Sequence, residues 1–357
     1  MKTNYIARGL TGLILALAAF ALLKYPQEIS QAVLQGAQLC VTLLLPGLFP
    51  FFILSSLAVK LGFADLLGLL FKPLMGPLFH LPGNCACGLI LGLLGGYPTG
   101  ARTAAVLYRE GLCSRQQAQR LLGFCNNCGP AFLLGTVGYG LFGELRYGLL
   151  LAGVHTGAAC LTGMILNRCA TDAFDTAEST PSKSVAALPA AFVSSVTESF
   201  QSLLNLFAFV LCFSAIAKLL LLSPLPAHFS ALLAPFFVPE NAEALFLGLF
   251  EMTLGVTAVQ TGSIEERLIL TSALLGWGGL CVHCQVLALL QDTDLSPASY
   301  FKGKALHALL SAFLMTALLL NSVGLCLVAG AATMLFPCRR KKQWKNRKRY
   351  SIMNSAR

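Results

Sequence analysis

Charged residues are scarce in this chain. They make up only 11% of the 357 residues, whereas 56% are hydrophobic, and the mean hydropathy is +0.73. A soluble domain carries about 25% charged residues. The few charged residues of this chain cannot cover a water-facing surface. The composition therefore excludes an ordinary soluble enzyme and a disordered protein. It predicts a chain that lies in lipid for most of its length.

Motifs of nucleotide hydrolysis and of common hydrolases are also missing. The sequence contains no Walker-type phosphate loop, no G-x-S-x-G elbow and no H-E-x-x-H helix. Each of these motifs places a phosphate cradle, a nucleophile or a zinc site at fixed spacing. We therefore expect a chain that is not an enzyme and that holds neither a cofactor nor a metal.

Basic residues are concentrated at the C-terminus. The formal net charge is +10, and nine of the 25 Lys and Arg residues lie between positions 339 and 357. No polar face accompanies this run, so a nucleic-acid partner is not expected. By the positive-inside rule, the tail at 336–357 is predicted in the cytoplasm, resting on an anionic leaflet.

Thirteen cysteines are spread through apolar stretches rather than spaced as in a small secreted disulfide protein. Two Cys-x-x-Cys pairs, Cys125 with Cys128 and Cys281 with Cys284, lie near helix breaks. Together with His283 they have the composition of a zinc or thiol-redox site. Small-residue packing in an apolar core is the favoured alternative.

The hydropathy pattern predicts an all-α, polytopic integral membrane protein with two repeated halves. A signal peptide is the alternative for the first segment, but further apolar runs follow it at once. We predict an N-terminal transmembrane helix at 1–26, a first repeat at 27–168, a polar linker at 169–191, a second repeat at 192–335 and the basic tail at 336–357.

Several apolar runs are interrupted by proline or glycine, which predicts broken helices. The stretch 27–60 contains Pro46 and Pro50 and is expected to form a re-entrant hairpin or a kinked span. Further breaks are predicted at 96–100, 126–130 and 276–279. Glu251 is expected in the centre of the apolar stretch 244–259.

The two halves resemble each other weakly. Leu-Gly-Leu-Leu at 91–94 is followed by a break and a helix, and so is Leu-Gly-Leu-Phe at 247–250. Interrupted helices at corresponding places of an inverted repeat point to the substrate site of a transporter. Chance similarity between glycine-rich apolar stretches is the alternative.

The breaks also bring polar groups to membrane depth, where free N–H groups at half-helix ends bind anions. Intramembrane ionisable residues usually face a cavity. The candidate substrate-binding residues are therefore Gly96, Tyr97, Pro98, Thr99, Gly100, Arg102, Asn126, Asn127, Gly129, Glu251, Gly278, Gly279, His283 and Gln285.

Each candidate has a structural alternative. Glycine pairs let helices approach closely, Arg102 has the length to snorkel to the interface, and His283 is a possible packing residue. Glu251 fits equally a local ion pair. Lys304 and His307 lie one turn apart and are expected at the membrane interface.

Four segments carry a resemblance to a known family. They are GGYPTGAR at 95–102, EGL at 110–112, FCNNCGP at 124–130 and GWGGLCVHCQ at 276–285. They resemble the sporulation integral membrane proteins of the YlbJ type, which carry the Gate, or nucleoside-recognition, domain. The resemblance covers roughly residues 30–320 and implies a core similar to that of concentrative nucleoside transporters, with hairpins and broken helices.

The resemblance also implies a function, namely movement of dipicolinic acid across the outer forespore membrane during sporulation. For this planar dianion, Thr99, Asn126 and Asn127 offer polar groups, Arg102 offers a cation and Tyr97 offers a ring for stacking. Glu251 would repel the dianion and is expected to pair with a base or bind a coupling proton. The alternatives are a nucleoside or other ion-coupled transporter and a non-transporting scaffold for spore assembly; a homo-oligomer is possible in each case.

Overall fold

Helices form every element in the ranges that the structure, a computed structural model, describes: residues 2–168, 187–235 and 237–320. In the first half they are α1 (Lys2–Lys24), α2 (Pro26–Leu39), α3 (Leu45–Lys60), α4 (Phe63–Phe79), α5 (Ala86–Gly95), α6 (Thr99–Arg109), α7 (Arg115–Leu122) and α8 (Leu145–Asn167). Short π-helical segments at Cys40–Leu44 and Ala131–Leu141 and a 3₁₀ turn at Gly83–Cys85 complete this half.

The second half contains seven helices within the described ranges. They are α9 (Leu188–Leu221), α10 (Leu225–Leu233), α11 (Pro239–Phe250), α12 (Met252–Ala258), α13 (Ile264–Trp277), α14 (Gly279–Leu290) and α15 (Ala298–Leu319). Most of the predicted linker, the end of the second repeat and the whole basic tail lie outside the described residues.

Four helical stretches in the described ranges are long and apolar enough to cross a membrane: α8, α9, α13 with α14, and α15. Two bent helix pairs raise the number to six if each pair is one span. The bend between α3 and α4 is 84°. The all-α, polytopic membrane fold with broken helices is therefore confirmed.

The chain does not break where two prolines interrupt the run at 27–60. A π-helical turn at Cys40–Leu44 joins α2 to α3, and Pro50 lies inside α3. Pro46 falls in the first turn of α3, where a backbone N–H has no helical partner to lose. The backbone therefore stays helical here, and a re-entrant hairpin does not form within this stretch. The sharp bend comes after it, at Leu61 and Gly62.

The two halves share one order of elements. A helical stretch of more than 30 residues comes first, as α2–α3 and as α9, and a shorter helix follows, α4 or α10. Next come a helix, a break, a second helix, a turn and a third helix, as α5–α7 and as α11–α13. Another break and two further helical segments complete each half. Whether an inverted symmetry axis relates the halves stays a prediction.

Among the described residues the apolar core forms three clusters; two of them share helix α15, and the third joins α3, α9 and α14. The first cluster surrounds α5, α6 and α7 and includes Tyr300. The second surrounds the second π-helical segment, α8, α12 and α13 and includes Met315. Helix α15 therefore bridges two of these clusters, and its residues Gly303, Lys304, His307 and Ser311, between Tyr300 and Met315, are buried.

Helix α7 begins with a capping box. The Gln117 backbone N–H donates to Ser114 Oγ, and the Ser114 N–H donates to Gln117 Oε1 at 2.8 Å. Beside this cap, Arg115 and Tyr108 both bind Asp294 in the loop between α14 and α15. These contacts join one end of the first half to the second half.

Arg102 ties α6 to α3 and α9. Its guanidinium donates to the Phe52 carbonyl oxygen at 2.8 Å and to the hydroxyls of Ser55, Ser199 and Ser202 at 3.2–3.3 Å. It also lies over the Phe52 ring, 5.2 Å from the centroid. The side chain is buried, so Arg102 does not snorkel to a surface.

We expect Arg102→Ala to lower the free energy of unfolding by about 2–4 kcal/mol, because buried acceptors lose their donor and a cavity is left. Thermal unfolding in detergent measures the change. Arg109→Ala, at the exposed end of the same helix, is the matched control and should change little. An unchanged melting temperature with lost anion binding would contradict this structural role and place Arg102 in the binding site.

Candidate functional site

The two breaks of the first half, at 96–100 and 126–130, cross each other. Helix α5 ends at Gly95, the next residue Gly96 has φ +75°, and residues 126–129 after α7 are not helical. A Cβ at Gly96 would lie 2.9 Å from Gly129 N, and one at Gly129 would lie 3.1 Å from Gly96 Cα. Only glycine fits such a close approach of two backbones. The crossing point brings both predicted breaks to one place.

The breaks of the second half cross in the same way. Glu251 is extended, with φ −137°, and separates α11 from α12. Its carboxylate caps α12 by accepting the Leu254 N–H at 2.6 Å. A Cβ at Gly279 would lie 2.8 Å from Met252 N. Glu251, predicted in the centre of the apolar stretch 244–259, is therefore itself the break between two helices and the cap of the second.

A cavity of about 200 Å³ lies where these four segments meet. Five of the predicted residues are on its wall: Gly96, Tyr97, Gly129, Glu251 and Gln285. This volume is smaller than the ~300–1,000 Å³ of pockets for drug-sized ligands. It suits a small metabolite.

The wall is mostly apolar and has one acid. Thr136, Thr253 and Gln285 add neutral polar groups to Glu251, and no lysine, arginine or histidine lines the cavity among the described residues. Apolar side chains from α2, α3, α9 and α14 line it as well, together with Met252 of α12 and Phe132 of the second π-helical segment. An anionic ligand therefore needs a positive charge from behind the wall.

A base that contacts the wall residue Tyr97 is Lys304, which the sequence prediction placed at the membrane interface. The structure corrects this: Lys304 is 2% exposed. Its Nζ donates to the Tyr97 hydroxyl at 2.7 Å and to the Asn126 carbonyl oxygen at 3.3 Å, and it lies over the Tyr97 ring. The sequence signal that would have predicted its place in the site is a lysine inside the apolar run of α15.

Two buried histidines lie beside this lysine. His155 Nε2 accepts the Cys128 backbone N–H at 2.9 Å, and His307 Nε2 lies 3.0 Å from the His155 carbonyl oxygen. The two rings are 4.4 Å apart. His307 is 1% exposed, so its predicted interfacial position is also wrong. His155 fixes the second break by holding the Cys128 amide.

The two asparagines support backbone rather than line the cavity. Asn126 Oδ1 accepts the Ala101 N–H at 3.3 Å, and Asn127 Nδ2 donates to the Phe124 carbonyl oxygen at 2.9 Å. Both side chains are buried. In this conformation they hold the second break against the start of α6. Substrate contact by either stays a prediction.

The remaining candidates lie near the cavity but not on its wall. Thr99 and Gly100 are buried in the first turn of α6, and Pro98 lines a much smaller pocket together with Gln285. His283 contacts Tyr300 Oη at 2.8 Å and packs edge-on against Trp277. Further predicted residues in this group are Arg102, Gly278 and Gly279.

The cysteine pairs are split between two environments. Cys128 and Cys281 line the cavity, whereas Cys125 is buried in the first core cluster. Within the described ranges, no three His, Cys, Asp or Glu side chains are grouped as metal ligands would be. The packing interpretation agrees with this placement.

Comparison with known proteins agrees with the sequence resemblance. Residues 41–197 match the Gate family, described as nucleoside recognition. The sporulation integral membrane protein YlbJ of Bacillus subtilis (strain 168) is 30% identical over 318 residues, which cover 81% of this chain and 77% of that protein. No solved structure gives a significant match.

The crossing of the first two breaks predicts a sharp glycine requirement. We expect Gly129→Ala to cost about 1–3 kcal/mol of stability, because its Cβ would press on Gly96 and the backbones would have to separate. Gly135→Ala, in the same π-helical segment with open space around its Cβ, is the control. Thermal unfolding of both variants in detergent tests this, and equal melting temperatures would contradict the crossing.

Proposed function

We propose a function from one premise: the chain belongs to the family of the sporulation integral membrane protein YlbJ. We infer that it is a transporter of a small anionic metabolite, and that the metabolite is dipicolinate, moved across the outer forespore membrane. The C-terminal basic tail at 336–357 is proposed on the cytoplasmic side, on anionic lipid.

One observation carries the proposal, namely the cavity at the crossing of four helix breaks. Non-helical backbone at membrane depth is tolerated only where protein or a water-filled cavity surrounds it. In secondary transporters such breaks form the substrate site, and one group of helices moves around it. A scaffold has no need of an internal cavity with a carboxylate, an amide and hydroxyls on its wall.

The chemistry of the wall is compatible with a small aromatic acid. Tyr97 offers an aromatic face, Thr136 and Gln285 offer hydrogen bonds, and the apolar side chains enclose a planar ring. The Glu251 carboxylate repels a bound anion as long as it is ionised. We therefore propose that Glu251 takes up a coupling proton or cation when the anion is bound.

A nucleoside is the second candidate. Gate domains are described as nucleoside recognition, and a wall with one acid and several neutral polar groups suits a neutral, hydroxyl-rich ligand. This candidate needs no positive charge near the cavity. It therefore leaves the buried Lys304 without a role in binding, which favours the anion.

Uptake of labelled dipicolinate into proteoliposomes tests the proposal. We expect saturable uptake that excess uridine does not reduce. We expect Glu251→Gln to abolish the response to an imposed proton or sodium gradient, because a neutral amide cannot exchange the coupling ion. Glu240→Gln, at the exposed start of α11, is the control and should behave as the unaltered protein.

Three other outcomes would contradict the proposal in different ways. Uptake that uridine blocks would move the assignment to a nucleoside. Folded protein with no uptake of either solute, under any gradient, would favour a scaffold. A Glu251→Gln variant with unchanged gradient response would leave the carrier in place but remove Glu251 from coupling.

A further inference from the structure

Lys304 is a buried lysine that has no acidic partner among the described residues. Its Nζ contacts two neutral oxygens, the Tyr97 hydroxyl and the Asn126 carbonyl oxygen. Ion pairs in the described part of the chain include Lys60–Glu198, Arg115–Asp294 and Arg146–Glu144, and none of these includes Lys304. A buried ammonium in this state is costly, because desolvation is not offset by an opposite charge.

The groups that face Lys304 from neighbouring elements do not supply that charge. Cys128 and Asn126 belong to the second break, His155 comes from α8, and His307 lies one turn along α15 itself. They carry a thiol, an amide and two imidazoles, and none of them is a carboxylate. Glu251, the acid on the cavity wall, makes its hydrogen bond to the start of α12 instead.

Tyr97 separates this ammonium from the cavity. Its ring is on the cavity wall, Lys304 Nζ lies 4.6 Å from the ring centroid, and its hydroxyl donates to the Leu275 carbonyl oxygen at 2.7 Å. Gly278 packs against both side chains, because a Cβ at this residue would lie 3.5 Å from Tyr97 Cζ and 3.6 Å from Lys304 Cε. The lysine is thus one aromatic ring away from the space where a ligand would lie.

We propose that Lys304 is the group that selects anions in this cavity. A carboxylate of the ligand becomes the charged partner of the ammonium, and the Tyr97 phenol, which holds this position in the absence of ligand, moves aside. The inference rests on the proposed transport of an anion and names the residue that recognises it. A planar ligand with a carboxylate at one edge fits both the aromatic wall and the charge behind it.

The competing role for Lys304 is structural, since it joins the two first-half breaks through Tyr97 and Asn126. The two roles predict opposite effects of removing the charge. Replacing an unpaired buried ammonium with an apolar side chain of similar length removes a desolvation cost, so a ligand-free protein should keep or gain stability. A structural tie would instead be lost, and the ligand-free protein would melt earlier.

The test is thermal unfolding of the full chain in detergent, with and without dipicolinate or its neutral analogue pyridine-2,6-dicarboxamide. We expect dipicolinate to raise the melting temperature of the unaltered protein. Lys304→Met should melt no earlier without ligand and should bind dipicolinate at least tenfold more weakly, while the diamide affinity changes less than threefold. Lys304→Arg should retain most of the dipicolinate response.

Two further variants make the result specific. Lys302→Met removes an exposed lysine from the same helix and should respond to dipicolinate like the unaltered protein. Tyr97→Phe removes the phenol oxygen that competes for the ammonium but keeps the ring. We expect it to bind dipicolinate at least as tightly as the unaltered protein does.

Several results would overturn the proposal. A full dipicolinate response in Lys304→Met would remove the lysine from recognition. An early-melting Lys304→Met that loses dipicolinate and diamide equally, together with a weakened Tyr97→Phe, would establish the structural role. If the unaltered protein responds to uridine but to no carboxylate, the proposed function fails first and the role of Lys304 fails with it.

Discussion

In hydrocarbon, every backbone N–H and C=O group that leaves a helix must find a partner inside the protein. In the described ranges, four of the helix breaks lie inside the protein and pack against each other in pairs. Gly96 lies against Gly129 in the first half, and Gly279 lies against Met252 in the second. The cavity is the space that these crossings leave between them, so the site and the fold are one arrangement.

Helix α15 holds this arrangement together. Tyr300 packs in one core cluster, Met315 packs in another, and Lys304 and His307 lie between them beside the breaks. A lysine at this depth has no benefit for packing. Its position is understandable if the protein must accommodate a negative charge that arrives and leaves, which is what an anion carrier does.

The sequence predicted the helical membrane fold and the breaks at 96–100, 126–130 and 276–279, because glycine and proline disfavour helix locally. Glu251 was not identified as a break, since neither residue type stands at this position, although the repeat placed an interruption after 247–250. Arg102 was predicted beside the ligand, but its serine partners lie in α3 and α9, 47–100 residues away. Lys304 was misplaced because hydropathy assigns a lysine to the interface whatever the surrounding packing.

The central claim, that an anion binds between the crossed breaks, is tested most directly on two native cysteines. Cys128 and Cys281 line the cavity, while Cys212 is exposed on α9. Alkylation of the full chain by a small thiol reagent, followed by mass spectrometry, gives a rate for each. We predict that saturating dipicolinate slows modification of Cys128 and Cys281 and leaves Cys212 unchanged. Unchanged rates at both cavity cysteines, with dipicolinate bound, would contradict the assignment of this cavity.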